Sequence, residues 1–331
     1  MEKTRVEVLF EWLDETAQII EHHLHEPYLD SLVIALETLF FQGADESMDD
    51  ILTHKLHTAL TRIETEEYKP EEIRKAIQFA VLKGMKDTTQ QQHEITPEAV
   101  ALIVGYLAQK LTEGRKDIRL FDPASGTGNL LTTVMSHLEH SVEAFASEVD
   151  QTLIQLALVS ANLQKTEIEF FHQDSLRPFL LDPVDLIVSD LPVGYYPDDI
   201  RASNYELKAE EGHSYAHHLF IEQSMNYTNA GGYLMFIVPN FIFDSEASDK
   251  LHLYLQKHAH IIGVIQLPEN AFKSEKNAKC ILILEKKGKN TEGPKQPLLV
   301  QLPSLKNTRA MEDILGKMNN WFKNYKSYDS N

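Results

Sequence analysis

The chain has 331 residues, 43% of them hydrophobic and 24% charged, which is the composition of a soluble globular protein with room for two domains. Its formal net charge of −19 disfavours unaided binding to nucleic acid, because a protein that binds a polyanion normally carries a basic surface. The sequence has no long apolar run, no secretory leader and a single cysteine, Cys280, so it predicts a cytoplasmic protein without membrane spans or internal disulfides.

Residues 1–93 predict a small all-helical domain. Apolar residues recur at helical spacing in four stretches, at 6–24, 28–43, 48–60 and 69–84. Pro70 stands at the start of the fourth stretch and Gly84 at its end, as is common at helix termini. Helices this short are marginal alone, so we expect them to pack as a bundle, followed by a polar linker at 87–94.

Residues 94–288 predict an α/β domain. A helix is expected to begin near Thr96, the predicted N-cap, with Pro97 at its first position. Apolar runs then alternate with helical stretches, and the runs lie at 118–122, 142–148, 168–174, 184–190, 232–239, 261–268 and 278–287. This alternation predicts a parallel sheet with helices on both faces. The last connection, 269–277, is too short for a helical crossover, so the final strand is expected to run antiparallel to its neighbour.

Beyond residue 288 the chain becomes rich in lysine, proline and glycine and ends in one predicted helix. From Glu285 to Asn331 there are nine Lys and Arg against five Asp and Glu, a net charge of about +4. Residues 289–331 are therefore predicted to form a basic C-terminal tail.

A glycine-rich loop, "FDPASGTGNLL" at 121–131, joins the first predicted strand to its helix. Such a turn lets the backbone approach a ligand and presents amide groups at a helix N-terminus. Leu131 stands where a dinucleotide-binding loop needs a third small residue, which argues against a bound pyrophosphate. Glu148 ends the second strand, where a carboxylate can accept both ribose hydroxyls, and Asp174 ends the third, where one can meet an adenine amine. Together these features predict a pocket for an adenosine without a phosphate chain.

Residues 96–288 resemble the class I S-adenosylmethionine-dependent methyltransferases, and more narrowly the adenine-specific amino-methyltransferases of DNA, especially the modification subunit of type I restriction systems. The resemblance rests on "TPEAVALIV" at 96–104, the loop at 121–131, "GGYLMFIVPNFIF" at 231–243 and the segment 261–287. It implies a Rossmann-like methyltransferase sheet and S-adenosylmethionine as cofactor. The cofactor-binding residues that it implies are Thr96, Asp122, Pro123, Ala124, Gly126, Gly128, Asn129, Leu130, Glu148, Asp174 and Asp190.

The stretch "VDLIVSDLPVGYYP" ends the fourth predicted strand, where this family carries Asn, Asp or Ser followed by two prolines and an aromatic residue. An exocyclic amine is a poor nucleophile, because its lone pair is delocalised into the ring. The Asp190 side chain and the Leu191 carbonyl can each accept a hydrogen bond from this amine, and Pro192 restricts the movement of that carbonyl. These three residues are therefore predicted to be catalytic, by positioning the amine that accepts the methyl group.

Val193 departs from the family pattern, because it cannot stack on a base as an aromatic side chain does. Tyr195 and Tyr196 follow at once. They either supply a ring from a shifted position, which would place them among the catalytic residues, or merely pack the loop.

The balance of charge also bears on partners. Up to Glu94 there are 20 Asp and Glu against nine Lys and Arg, so the helical domain is predicted to contact protein and not to clamp DNA. Only about 45 residues follow the α/β domain, too few for a substantial recognition domain. Nucleic acid is thus expected to bind weakly, or with the help of a partner.

Four functions remain open from the sequence. The first is methyl transfer to an exocyclic amino nitrogen, with adenine in DNA the leading substrate. The second is a cofactor-binding protein with a degenerate catalytic loop that acts through protein partners. The third is methylation of a protein side-chain amide, whose nitrogen is equally unreactive. A nicotinamide dehydrogenase is the fourth, and Leu131 counts against it.

Overall fold

The computed structural model describes residues 3–63, 68–86, 95–244, 247–268, 271 and 278–326. The predicted linker at 87–94 and nearly all of the connection 269–277 lie outside these residues. None of the described helices has the length and apolar character that crossing a bilayer would require.

The predicted helical domain is confirmed. Its helices are α1 (Arg5–Leu24), α2 (Tyr28–Phe41), α3 (Asp50–Leu60) and α4 (Pro70–Lys86). Thr4 and Glu7 form a reciprocal capping box at the start of α1, and Asp49 accepts two backbone N–H groups at the start of α3. The apolar faces meet in one buried core, so the four short helices stabilise one another.

The sequence predicted that Gly84 ends its helix, but it does not. Helix α4 continues to Lys86, and a Cβ atom on Gly84 would lie 2.6 Å from side-chain atoms of Tyr28 and Leu29. The glycine therefore serves the close approach of α4 to α2, which no pattern within α4 reveals.

The described residues from 95 onward form an eight-stranded sheet with helices on both faces, which confirms the predicted fold class. The strands are β1 (Asp117–Asp122), β2 (Ser141–Glu148), β3 (Glu169–His172), β4 (Val184–Asp190), β5 (Thr228–Pro239), β6 (Ala259–Gln266), β7 (Lys279–Lys286) and β8 (Leu298–Gln301). The helices are α5 (Glu98–Thr112), α6 (Asn129–Met135), α7 (Gln151–Leu163), α8 (Asp199–Ala202), α9 (Ala216–Asn226), α10 (Ser248–His258) and α11 (Thr308–Lys326).

The strand order is β3-β2-β1-β4-β5-β7-β6-β8. β7 runs antiparallel to both β5 and β6, as the short connection predicted, and the other pairings are parallel. The strand order reverses between β1 and β4, although the two strands are parallel. A crevice forms at the carboxyl ends of strands at such a switch point. Because β7 is antiparallel, its first residue, Lys279, lies at that same edge, opposite Pro239 at the end of β5.

Strand β8 was not predicted. Residues 298–301 pair in parallel with β6, and α11 buries Met318 and Phe322 in the core under the sheet. The segment after residue 288 thus contributes an edge strand and a packed helix to the α/β layer.

Thr96 is not the N-cap of α5. Pro97 occupies that position without a side-chain cap, and the Thr96 hydroxyl donates to Asp190 Oδ2 at 2.9 Å instead. The hydroxyl is drawn to a buried carboxylate, which accepts a stronger hydrogen bond than a neutral helix end would need.

The helical domain packs against α7 of the sheet layer. Leu153, Leu156 and Val159 of α7 belong to the same apolar core as the helical bundle, and the Thr152 hydroxyl donates to Asp30 of α2 at 2.6 Å. The two layers are therefore joined by a continuous buried contact next to the carboxyl end of β2.

Candidate active site

A cleft of about 410 Å³ opens at the carboxyl ends of the parallel strands, at the switch point between β1 and β4. It is lined by twelve of the residues that the sequence predicted: Thr96, Asp122, Pro123, Ala124, Gly126, Asn129, Leu130, Glu148, Asp174, Asp190, Leu191 and Pro192. We call the part formed by Gly126, Glu148 and Asp174 the adenosine end, and the part formed by Asp190, Val193 and Lys279 the acceptor end.

The two glycines of the loop have different structural roles. Gly126 has φ +52°, and a Cβ there would meet nothing within 4 Å, so the position favours glycine through its backbone conformation and not through lack of space. Gly128 has φ +76°, and its Cβ would lie 3.3 Å from that of Ala157 in α7. Gly128 is not among the residues that line the cleft; it lets the start of α6 lie close to α7.

Backbone amides hold the Glu148 carboxylate in place. Its Oε2 accepts from Gly126 N at 2.9 Å, and its Oε1 accepts from Val149 N at 2.8 Å and Asp150 N at 2.9 Å. The side chain is 9% exposed and borders the cleft. A carboxylate fixed by three donors is pre-organised to accept further hydrogen bonds from a ligand.

Asp174 is also fixed before any ligand arrives. Its Oδ1 accepts from Leu176 N at 2.9 Å, and its Oδ2 accepts from the Tyr196 hydroxyl at 2.5 Å. The pKa of the Tyr196 phenol is raised, first by burial and then by this hydrogen bond, so the phenol stays a donor.

Asp122, at the end of β1, is almost wholly buried. It accepts hydrogen bonds from Ser189 Oγ at 2.8 Å and Ala124 N at 3.1 Å. Burial raises the pKa of its carboxyl to about 7, against the lowering effect of these two donors. Its contacts show that it fixes the glycine loop to β4.

Three polar atoms that border the cleft are buried and have no hydrogen-bond partner among the described residues: Ser125 Oγ, Asn129 Oδ1 and Gln173 Nε2. Buried polar groups are normally satisfied, so these atoms indicate a polar ligand. Together with Glu148 and Asp174, they suit the hydroxyl, amine and amino-acid groups of S-adenosylmethionine. The residues present therefore fit this cofactor.

The acceptor loop follows β4. Leu191 is buried, and its N–H donates to the Ile237 carbonyl at 3.1 Å. Further on, the Gly194 carbonyl accepts from Ala216 N at 2.9 Å, which ties the loop to the start of α9. Val193 borders the cleft and is 43% exposed, so the position where the family has an aromatic ring is open.

Lys279 was not predicted as a site residue. Its Nζ donates to Asp190 Oδ1 at 2.8 Å, and the two side chains are 10% and 13% exposed. Thr96 takes the other carboxylate oxygen, so both oxygens of Asp190 have a partner within the chain. The antiparallel direction predicted for the last strand could have revealed Lys279, because it places the first residue of that strand at the site edge.

Tyr195 and Tyr196 do not border the cleft. Tyr195 is 62% exposed and stacks on Tyr215, with ring centroids 5.0 Å apart. Tyr196 is buried, and its hydroxyl donates a hydrogen bond to Asp174. Their contacts are those of residues that pack the loop, while Phe241, 41% exposed, is an aromatic side chain that does border the cleft.

Comparisons with known proteins match both the helical domain and the α/β layer to known families. Residues 7–85 match the model of the YtxK N-terminal helical domain, and residues 85–327 match that of the N-6 DNA methylases. The protein YtxK of Bacillus subtilis is 45% identical over 329 residues, covering 98% of this chain and all of the relative.

Solved structures extend the comparison. A protein of Listeria monocytogenes, assigned to the class I S-adenosylmethionine-dependent methyltransferases, is 44% identical with a TM-score of 0.90, and the match covers 96% of this chain and 99% of that one. A type I restriction-modification methyltransferase subunit of Streptococcus thermophilus is 16% identical with a TM-score of 0.64, covering 94% of this chain and 74% of that one, and shares the fold.

The model match covers well over half of the chain. The chain therefore belongs to the N-6 DNA methylase family of S-adenosylmethionine-dependent methyltransferases, with S-adenosylmethionine as its cofactor and a YtxK-type helical domain before the catalytic layer.

Proposed function

We propose that this chain transfers the methyl group of S-adenosylmethionine to the exocyclic amino nitrogen of adenine in DNA. The observation that carries the proposal is the position of Asp190, Leu191 and Pro192, which border the same cleft as Glu148 and Asp174. An amine held by the first group is within reach of a methyl group carried by a cofactor bound to the second.

At the adenosine end, Glu148 would accept hydrogen bonds from the ribose hydroxyls, and Asp174 would accept one from the adenine amine of the cofactor. When bound, S-adenosylmethionine supplies an activated methyl group on a good leaving group. The chain's own contribution is then mainly positioning and electrostatics.

At the acceptor end, the Asp190 carboxylate and the Leu191 carbonyl would each accept a hydrogen bond from the target amine. These two hydrogen bonds favour a pyramidal nitrogen with its lone pair directed at the methyl group. The Asp190 carboxylate accepts from the Thr96 hydroxyl through Oδ2 and from the Lys279 ammonium through Oδ1. These contacts also fix the carboxylate before the substrate arrives.

A target adenine must leave the base stack to reach this point. Val193 offers no ring, and the tyrosines that follow it lie away from the cleft. We propose that Phe241, which follows β5 and is half exposed in the cleft, supplies the stacking surface. Such a contact is worth about 1–3 kcal/mol per base.

DNA binding by the chain alone is proposed to be weak, because its net charge is −19. A protein partner on the helical domain would supply the basic surface. Phe41 and Ile51 of that domain are 72% and 65% exposed, which supports a contact of this kind.

The test is mass spectrometry of DNA and RNA from cells with the gene, without it, and complemented with wild type, Asp190→Ala or Asp199→Ala. Asp199 is an exposed carboxylate outside the cleft and serves as the matched control. Methylated adenine should disappear on deletion and return with wild type and Asp199→Ala only. No change in methylated adenine on deletion would refute adenine as substrate, and a methylated glutamine that disappears with the gene would establish the amide alternative.

A further inference from the structure

The acceptor end contains a buried ion pair. Lys279 is the single Lys, Arg or His among the described residues that border the cleft, and it is 8% exposed. Its ammonium lies 2.8 Å from Asp190 Oδ1, so the two charges cancel within the cleft wall. Water and salt screen such buried charges far less than exposed ones.

The cofactor and its product differ by one charge. S-adenosylmethionine carries a sulfonium cation, whereas S-adenosylhomocysteine, the product of methyl transfer, carries a neutral thioether. The methyl group must reach an amine held by Asp190, so the sulfur lies toward the acceptor end. This placement rests on the function proposed above. An unpaired Asp190 would favour the cation, and an ammonium beside it opposes that preference.

We propose that Lys279 sets the discrimination between S-adenosylmethionine and S-adenosylhomocysteine. It cancels the charge of Asp190, so the acceptor end adds little electrostatic preference for the sulfonium of the cofactor over the neutral thioether of the product.

The test is isothermal titration calorimetry of the full chain with each of the two ligands, read as the ratio of the two dissociation constants. The wild-type ratio is the reference for every variant. Lys279→Met leaves Asp190 without its cation and shifts the ratio toward S-adenosylmethionine by about tenfold or more. Asp190→Asn leaves Lys279 without its anion and shifts the ratio the other way by a similar factor.

Two further variants control for indirect effects. Lys279→Arg keeps the charge and should keep the wild-type ratio. The double variant, Asp190→Asn with Lys279→Met, removes both charges and should return the ratio close to that of wild type, which closes a double-mutant cycle. Removing one partner of a buried pair is destabilising, so thermal unfolding of every variant is measured first. If Lys279→Met does not fold, Asp190→Asn and the double variant carry the test.

Ratios that stay within about twofold of wild type in Lys279→Met and Asp190→Asn would overturn the inference while leaving the proposed function intact. Ratios that shift as expected, in a protein that methylates no adenine, would refute the proposed substrate alone. A wild-type cleft that binds neither ligand contradicts both.

Discussion

The two ends of the cleft hold their carboxylates in different ways. Glu148, at the adenosine end, takes its hydrogen bonds from backbone amides of the glycine loop and of its own strand end. Asp190, at the acceptor end, takes them from the side chains of Thr96 and Lys279, which are 94 and 89 residues away along the chain. The adenosine end is thus built from local backbone geometry and the acceptor end from tertiary contacts.

This difference predicts that the adenosine end controls affinity for any adenosyl ligand, while the acceptor end controls turnover and the response to charge. The variants of Asp190, Glu148 and Val193 below test these two roles, and the variant of Asp122 tests the buried carboxyl that fixes the glycine loop.

Asp190→Ala should have the largest effect. Loss of the acceptor for the amine hydrogens should lower methyl transfer by about 10²–10³-fold, as for other pre-organised hydrogen-bonding groups at a transition state. S-adenosylhomocysteine, which carries no sulfonium charge, should still bind. Transfer of a labelled methyl group to adenine-containing DNA measures the first effect, and calorimetry measures the second. Near-normal turnover would show that Asp190 does not position the amine.

Asp122→Asn should change how stability depends on pH. Burial raises the pKa of Asp122 to about 7, from an ordinary value of 3.8. The folded state therefore binds more protons than the unfolded state between these values, and the free energy of unfolding falls as pH rises through that window. The wild type should lose up to about 4 kcal/mol relative to Asp122→Asn between about pH 4 and 8. Urea unfolding of both proteins across this range measures the difference, and parallel pH curves would refute it.

Glu148→Ala should weaken both adenosyl ligands together. Loss of hydrogen bonds to a charged acceptor costs about 1.5–3 kcal/mol, or roughly one to two orders of magnitude in affinity. Glu143, an exposed carboxylate on the same strand that pairs with Arg119, provides the control, and Glu143→Ala should bind normally. Calorimetry with both ligands tests this, and selective loss of one ligand would contradict a role at the ribose.

Val193→Phe should have the smallest effect, and a favourable one. Val193 is half exposed at the acceptor end, so a ring there can stack on the extruded base and add about 1 kcal/mol. The expected result is a lower KM for the DNA acceptor, by about fivefold, with cofactor affinity unchanged. Steady-state kinetics measure both quantities. A higher KM would mean that the valine is needed to leave room for the substrate.

The sequence was sufficient to predict strands β1–β7 and the glycine loop, with Glu148 and Asp174 near the carboxyl ends of β2 and β3. These follow from periodicity and from the rule that ligands bind at strand ends. Strand β8 was missed because four residues between proline- and glycine-rich segments carry little periodicity, and it is recognisable only through its pairing with β6.

The acceptor end was harder to predict. Thr96 has the sequence of an N-cap, yet its hydroxyl is drawn to Asp190, and the role of Lys279 depends on the direction of β7. Chain proximity left open whether Tyr195 and Tyr196 stack on a base or pack the loop, and in the structure Tyr195 stacks on Tyr215 while Tyr196 donates to Asp174. Where a side chain's partner lies far along the chain, local patterns cannot choose among several partners.

A crystal structure of the protein soaked with S-adenosylmethionine tests the central claim most directly. The account predicts ribose hydroxyls within about 2.6–3.2 Å of the Glu148 carboxylate and the methyl group directed toward Asp190. An adenosyl group bound away from Glu148, or a cleft that stays empty at saturating cofactor, would contradict it.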